Sequence, residues 1–341
     1  MTQDVALPLA SGAVAPRTEA PVWRTLRIGF GALWLLDGLL QAQPRMFTMD
    51  MISTVMQPSA TGEPGWLTAL INTSIRVVGP HIALFNAFFV LLQLGIGALL
   101  LCGGRPRLVR TGATLSLAWA LVVWLFGEGL GQLLTGSATA LSGAPGSVLL
   151  YAVVAVLLLA RPAVREAAPL GRPLVAWLTA ALFALGALLE LNPLFFTPLG
   201  LASVFGQGAA MSQPHLFGAP IAWATDLADA RPLLVNGLVI ALFALSALAV
   251  LLPATRGRGR ALNTLAWALP LAFLFVVWWL GQDFGMPFGG MATDPNTAVP
   301  LGLLVVAARQ AMIPLSARNG AQATNDDGGA ATVGLAGAGL R

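Results

Sequence analysis

The chain has 341 residues, 57% of them hydrophobic and 9% charged, with a mean hydropathy of +0.80 and a formal net charge of +4. Soluble globular chains carry about 25% charged residues, so this composition excludes an ordinary water-soluble domain and points to repeated membrane crossing. All 18 basic residues are arginine and lie in small clusters between apolar runs, which excludes a nucleic-acid surface. The single cysteine, Cys102, excludes an internal disulfide, and two histidines, His81 and His215, are too few for a histidine-rich metal or haem site.

Residues 1–21 lack the apolar run of a signal peptide and read as a disordered cytoplasmic tail. A membrane helix needs about 20 mostly apolar residues. The first candidate is 22–42, which carries Asp37 and Gln41. The loop that follows, 43–80, holds a methionine ladder, "MFTMDMISTVM" (46–56), and "WLTALINTSIRVV" (66–78), an amphipathic segment suited to the membrane surface. Candidate spans 81–103 and 107–126 flank Arg105, Arg107 and Arg110, and 81–103 carries Asn86 and Gln93. A glycine-rich stretch, "WLFGEGLGQLLTGSAT" (124–139), leads to 147–161, and Arg161, Arg165 and Arg172 precede 173–191. A long loop at 192–232 contains His215. Spans 233–253 and 261–280 flank Arg256, Arg258 and Arg260; "GQDFGMPFGGMATDPN" (281–296) then leads to 298–313 and a disordered tail, 315–341. Arginine is dense in alternate loops, which predicts eight spans with both termini cytoplasmic.

The chain matches itself. "WLFGEGLGQLLTGSAT" aligns with "WWLGQDFGMPFGGMAT" (278–293), so that Gly127, Gly131 and Gly136 fall on Gly281, Gly285 and Gly290. "QAQPRMFT" (41–48) aligns with "ELNPLFFT" (190–197), and Asn86 falls on Asn236. The expected fold is therefore an all-α integral membrane protein of two tandem four-helix repeats, 22–167 and 168–314. An even number of spans per unit makes the repeats parallel. Gly127, Gly131, Gly281 and Gly285 mark a turn in each unit, either a re-entrant segment or a tight surface loop.

Asp37 lies about 20 Å along its helix from Arg24 at about 1.5 Å per residue. A charge at such depth costs about 2.5–3.5 kcal/mol, so it needs a partner or water. Gln41 is one turn above it, and Asn86 and Gln93 share a face of the next span. The four form a candidate polar spine, readable as interhelical hydrogen bonding or as a ligand or proton site; Asp37 is also readable as interfacial if its span is shifted outward. Glu128 and Asp283, one acid per glycine turn, would bind a cation or cap the turn's own amides. Met46, Met49 and Met51 with His215 offer soft ligands for copper, or else apolar filling beside the bilayer.

No phosphate loop, nucleophile elbow or zinc-type histidine pair is present. The chain is not expected to be a catalyst by itself. A four-span unit opened by "RIGFGALWLLDGLLQ" (27–41), with a small arginine-bearing turn between its second and third spans, resembles the DoxX/DoxD group of bacterial membrane proteins over about 22–314. That resemblance implies the bacterial inner membrane and work beside a quinone or a redox partner protein. No functional residue of the group maps onto the chain. The expectation is an accessory redox subunit with an outward vestibule. A transporter or channel for a small solute, proton or metal ion through Asp37, and an assembly protein without a ligand, remain open beside it.

Overall fold

The computed structural model describes residues 19–210, 213–252 and 260–312. The tails at 1–18 and 313–341, and with them most of the two expected disordered segments, lie outside the described residues, as do Met211, Arg256 and Arg258. Among the described residues all regular structure is helical. The α-helices are α1 (Pro21–Gln41), α2 (Gly65–Val78), α3 (Ile82–Leu101), α4 (Pro106–Phe126), α5 (Ser147–Leu159), the single turn α6 (Pro162–Arg165), α7 (Leu174–Leu189), α8 (Pro198–Ala209), α9 (His215–Ala230), α10 (Pro232–Leu251), α11 (Arg260–Val276) and α12 (Ala298–Met312). Each apolar run read as a span is a helix. Four helical stretches are long and apolar enough to cross a membrane: Gly65–Leu101, Pro106–Phe126, Pro232–Leu251 and Thr264–Gly281. This is a helical membrane protein.

The helices sort into an inner and an outer set. α1 packs against α12, α5 against both, and α7 against α12. α3 lies on α1, α4 on α3 and α5, α10 on α7, and α11 on α10 and α12. Burial follows the sorting: nine of the thirteen residues of α5 are buried, against six of the twenty in α10. Outer helices present leucines such as Leu84, Leu91, Leu233 and Leu265, each exposed by 65% or more, a surface that only lipid suits. Inner helices need not be long, because their neighbours shield them. α5, α7 and α12 are accordingly the short ones, at 13, 16 and 15 residues. One continuous apolar cluster joins the two halves, with Phe30, Trp34 and Tyr151 edge-to-face at 5.0–5.4 Å around Tyr151.

Arginines finish several of the helices. The Arg27 guanidinium donates to the Leu100 carbonyl at 2.9 Å and pairs with Glu19 at 3.0 Å. Arg172 donates to the Leu251 carbonyl at 2.9 Å, and Arg165 donates to the Leu157 carbonyl at 3.0 Å and to that of Leu158. Each satisfies carbonyls that a helix C-terminus leaves unpaired.

Two departures from the sequence reading stand at the opposite end of the helices. The segment expected to lie separately on the membrane surface is helical, but it runs on into α3 through Gly79–His81 with a bend at His81 (φ −131°, ψ 37°), giving one stretch of 37 residues. The loop 192–232 is largely two helices, α8 and α9, packed on each other. Their glycines and Pro220 gave no periodic signal; packing rather than propensity holds them helical.

Candidate functional site

The two glycine turns have the same backbone. Residues 129–132 all have positive φ, at 53°, 54°, 66° and 60°, and so do residues 283–286, at 44°, 54°, 78° and 59°. Four successive left-handed residues are strained wherever a Cβ is present. Glycine is required twice over at Gly131, where a Cβ would run into the Pro145 carbonyl, and at Gly285, where it would run into that of Asp294. The Trp124 indole donates to the Pro145 carbonyl at 2.8 Å, and the Trp278 indole to that of Pro295 at 2.7 Å.

Each turn also caps the helix that follows. The Glu128 carboxyl accepts from the Ser147 hydroxyl at 2.8 Å and the Val148 amide at 3.4 Å, at the start of α5. Gln282 accepts from the Ala298 amide at 3.1 Å and donates to the Thr297 hydroxyl at 2.8 Å, at the start of α12. Glu128 keeps its second oxygen, Oε2, without a partner. Burial first, and the neighbouring Asp294 second, push its pKa up to about 8, against smaller opposing contributions from Ser147 and Val148.

Beside Glu128 lies a chamber of about 240 Å³ enclosed by α1, α3, α4 and the methionine segment. Asp37 opens into it from α1, Gln93 from α3, and Trp119 from α4, while Asp294 reaches in from the loop before α12. Asp37 is 3% exposed and its Oδ1 has no hydrogen-bond partner; neither has the Gln93 amide oxygen. The Tyr151 hydroxyl faces Asp37 from α5. Gln41 and Asn86 close on each other instead: Gln41 donates to the Asn86 side-chain oxygen at 2.5 Å and Asn86 returns a bond to the Gln41 carbonyl at 3.1 Å. The polar spine thus divides into a satisfied pair, which locks α1 to α3, and two unsatisfied groups facing open space. Phe88 of α3 and Val122 of α4 line the chamber and are 54% and 42% exposed.

A wider, polar cavity of about 700 Å³ adjoins the chamber, walled by residues such as Ser59, Gln132, Thr135 and Asn296. The two cavities share Val55, Gly127, Glu128 and Asp294, so these residues form the threshold between vestibule and chamber.

The corresponding place in residues 168–314 is closed. Asn236 donates to the Glu190 carbonyl at 2.8 Å, as Asn86 does to Gln41. Only about 20 Å³ remains there, among Phe243, Val277, Gln282 and Ala298. A Cβ on Gly186, which aligns with Asp37, would stand 2.7 Å from the Phe243 ring, and Phe243 aligns with Gln93. Glu190 accepts from Thr139 at 2.6 Å, and burial raises its pKa.

The remaining candidates lie apart from the chamber. Asp283 is buried against Gly208 and faces Gln213; burial pushes its pKa up to about 6. The sequence reading gave each turn one acid, shifted by one position so that Gln282 aligns with Glu128, and Gln282 is the residue that repeats the capping of Glu128. Gly281 packs on the Leu141 carbonyl. Met46 and Met51 join Met56 and Met291 in an apolar cluster with Val78, while Met49 is 57% exposed and His215 is exposed at the start of α9. Among the described residues no group of three histidine, cysteine or acidic side chains is placed to hold a metal ion. Two residues went unselected in the sequence. Asp294 ended the quoted glycine stretch, and Tyr151 is the only tyrosine of the chain, set in an apolar helix.

The chain matches no family model, no curated protein and no solved structure.

Proposed function

We propose that this protein binds a small, largely apolar solute in the chamber of its first half and passes it between the vestibule and the membrane, as a transporter or as a solute-delivering subunit. One observation carries the reading: Asp37, 3% exposed and with an unpartnered oxygen, faces an open space of about 240 Å³. A buried polar group without a partner costs about 1–3 kcal/mol, more when charged, and such a cost persists where a ligand or water relieves it. The apolar and aromatic lining, with Phe85, Phe88, Phe89, Trp119 and Val122, favours a solute that also dissolves in lipid.

The same reading takes the chain as eight spans in two duplicated four-helix units, with both termini cytoplasmic in a bacterial inner membrane. The matched turns, the matched Trp–carbonyl bonds and the arginine distribution support it. A second reading, the quinone-binding redox subunit implied by the DoxX/DoxD resemblance, is favoured by the aromatic walls and by the unpartnered Trp119 indole, a donor for a quinone carbonyl. One experiment separates the two. The protein is purified in mild detergent, bound quinone is extracted, metal is measured by mass spectrometry, and the Asp37→Asn variant is reconstituted beside wild type for solute flux. Flux lost in the variant, with neither quinone nor copper bound, supports transport. Stoichiometric quinone in the extract overturns it in favour of the redox subunit.

A further inference from the structure

We propose that the chamber selects a small lipophilic cation: a protonated amine carrying an apolar or aromatic group, with its ammonium among Asp37, Glu128 and Asp294 and its apolar part against Trp34, Phe89 and Trp119. The proposal rests on the solute-binding reading above and names the class of solute.

The lining fixes the sign of the charge. Asp37, Glu128 and Asp294 all face the chamber, and none of the described residues lining the chamber or the vestibule is basic. An anion would find no basic side chain to pair with there. The unpartnered atoms fix the hydrogen bonding. Three acceptors are orphaned along the chamber, Asp37 Oδ1, Glu128 Oε2 and the Gln93 amide oxygen, against one donor, the Trp119 indole. Three N–H bonds are what an ammonium group offers, whereas a neutral carbonyl compound could use only the indole. The walls fix the rest of the ligand. Aromatic faces attract a cation, more strongly once it is desolvated, and they shelter an apolar tail. A bare metal ion is poorly served, because no three candidate ligands converge. The volume is below the range of about 300–1,000 Å³ for drug-sized ligands, so the solute is smaller than a drug.

The threshold then acts as a proton exchanger. Glu128 is faced by Asp37 from α1, by Ser147 and Tyr151 from α5 and by Asp294 from the loop before α12, with Glu63 beside Gly129 on the vestibule side. No positive group offsets these acids, so an arriving ammonium displaces the Glu128 proton toward the vestibule.

The test is calorimetric titration of the full chain in mild detergent with 2-phenylethylamine, with its neutral counterpart 2-phenylethanol, and with a short-chain benzoquinone. Running each titration in two buffers of different ionisation enthalpy counts the protons released. The expected result is amine affinity at least tenfold above that of the alcohol, with proton release at pH 7. Asp37→Asn weakens the amine tenfold or more while hardly moving the alcohol; Glu128→Gln abolishes the proton release; Asp283→Asn, outside the chamber, changes neither. Should Asp37→Asn not insert, the ligand pair and Glu128→Gln still decide. Equal affinity for amine and alcohol overturns the cation and leaves the solute-binding reading standing; preference for the quinone overturns the cation and turns the chamber over to the redox reading. Binding of none of the three overturns both.

Discussion

Glu128 holds the Ser147 hydroxyl at 2.8 Å with one carboxyl oxygen and leaves the other without a partner, close to Gly146. One side chain therefore starts helix α5 and borders the candidate site. Changes at the site and changes in stability are coupled at this residue, and pH is the means of separating them.

Folded Glu128 keeps its proton up to about pH 8, whereas an ordinary glutamate loses it near 4.5. Between those values the native state binds more protons than the unfolded state, so this group's stabilisation is complete below about pH 4.5 and is lost as pH rises through 8. Glu128→Gln removes that dependence. Gln282 already caps α12 in the same manner, so glutamine can keep the cap. Thermal unfolding in detergent from pH 4 to 9 should show the wild type falling relative to the variant across this window. Parallel curves would remove Glu128 as a buried titrating group.

Asp283 gives a second, lower window. Its pKa rises from 3.8 to about 6, so its stabilisation is complete below about pH 3.8 and is lost by about pH 6. Asp283→Asn should flatten the curve only there, with no effect on solute binding.

Gly131→Ala should destabilise more than Gly136→Ala. Both positions have positive φ, at 66° and 79°, which costs a Cβ-bearing residue about 1–2 kcal/mol. Only Gly131 also abuts the Pro145 carbonyl; Gly136 has open space. Denaturation of the two variants side by side isolates the steric part, and equal losses would mean that the Pro145 contact costs nothing.

Trp124→Phe and Trp278→Phe should each cost about 1–3 kcal/mol, because each strips a donor from a loop carbonyl. Unfolding midpoints of the two variants should move together. A large effect in only one would count against equivalent turns.

Phe243→Ala should open a second cavity and cost about 3–5 kcal/mol, the usual range for a buried phenylalanine. Amine affinity should stay within twofold of wild type, because Asp37 lies in the other half.

The helices were legible because a lipid-facing run has no other use for twenty apolar residues, and the predicted ends fall within a few residues of the observed ones. The turns were legible through their matched glycines, since Gly131 and Gly285 occupy conformations that side chains resist. The alignment also set Gln282 against Glu128, with the acid of the second turn one position on, but did not say which of the two residues caps the following helix; position, not charge, selects Gln282. The chamber itself could not be read, since it depends on which of two aligned residues fills space: glutamine at 93 leaves room and phenylalanine at 243 takes it. Asp294 escaped because the groups it meets, Glu128 and the walls of the chamber, lie more than a hundred residues earlier in the chain, and nothing local announces so distant a contact.

The crossing of the two loops has one more consequence. Thr139, in the loop of the first half, is held by Glu190 of the second, and Gln43 of the first half donates to the Ala292 carbonyl in the loop of the second at 3.3 Å. Each half lends a loop to the other, and Asp294 travels on one of them. If the halves were once separate chains, the chamber was a site shared between two subunits, built twice in a symmetric pair. Fusion would have freed one of the two to fill with Phe243 while the other kept its acids. Two separately expressed halves, 1–167 and 168–341, should then rebuild the site only when they are made together.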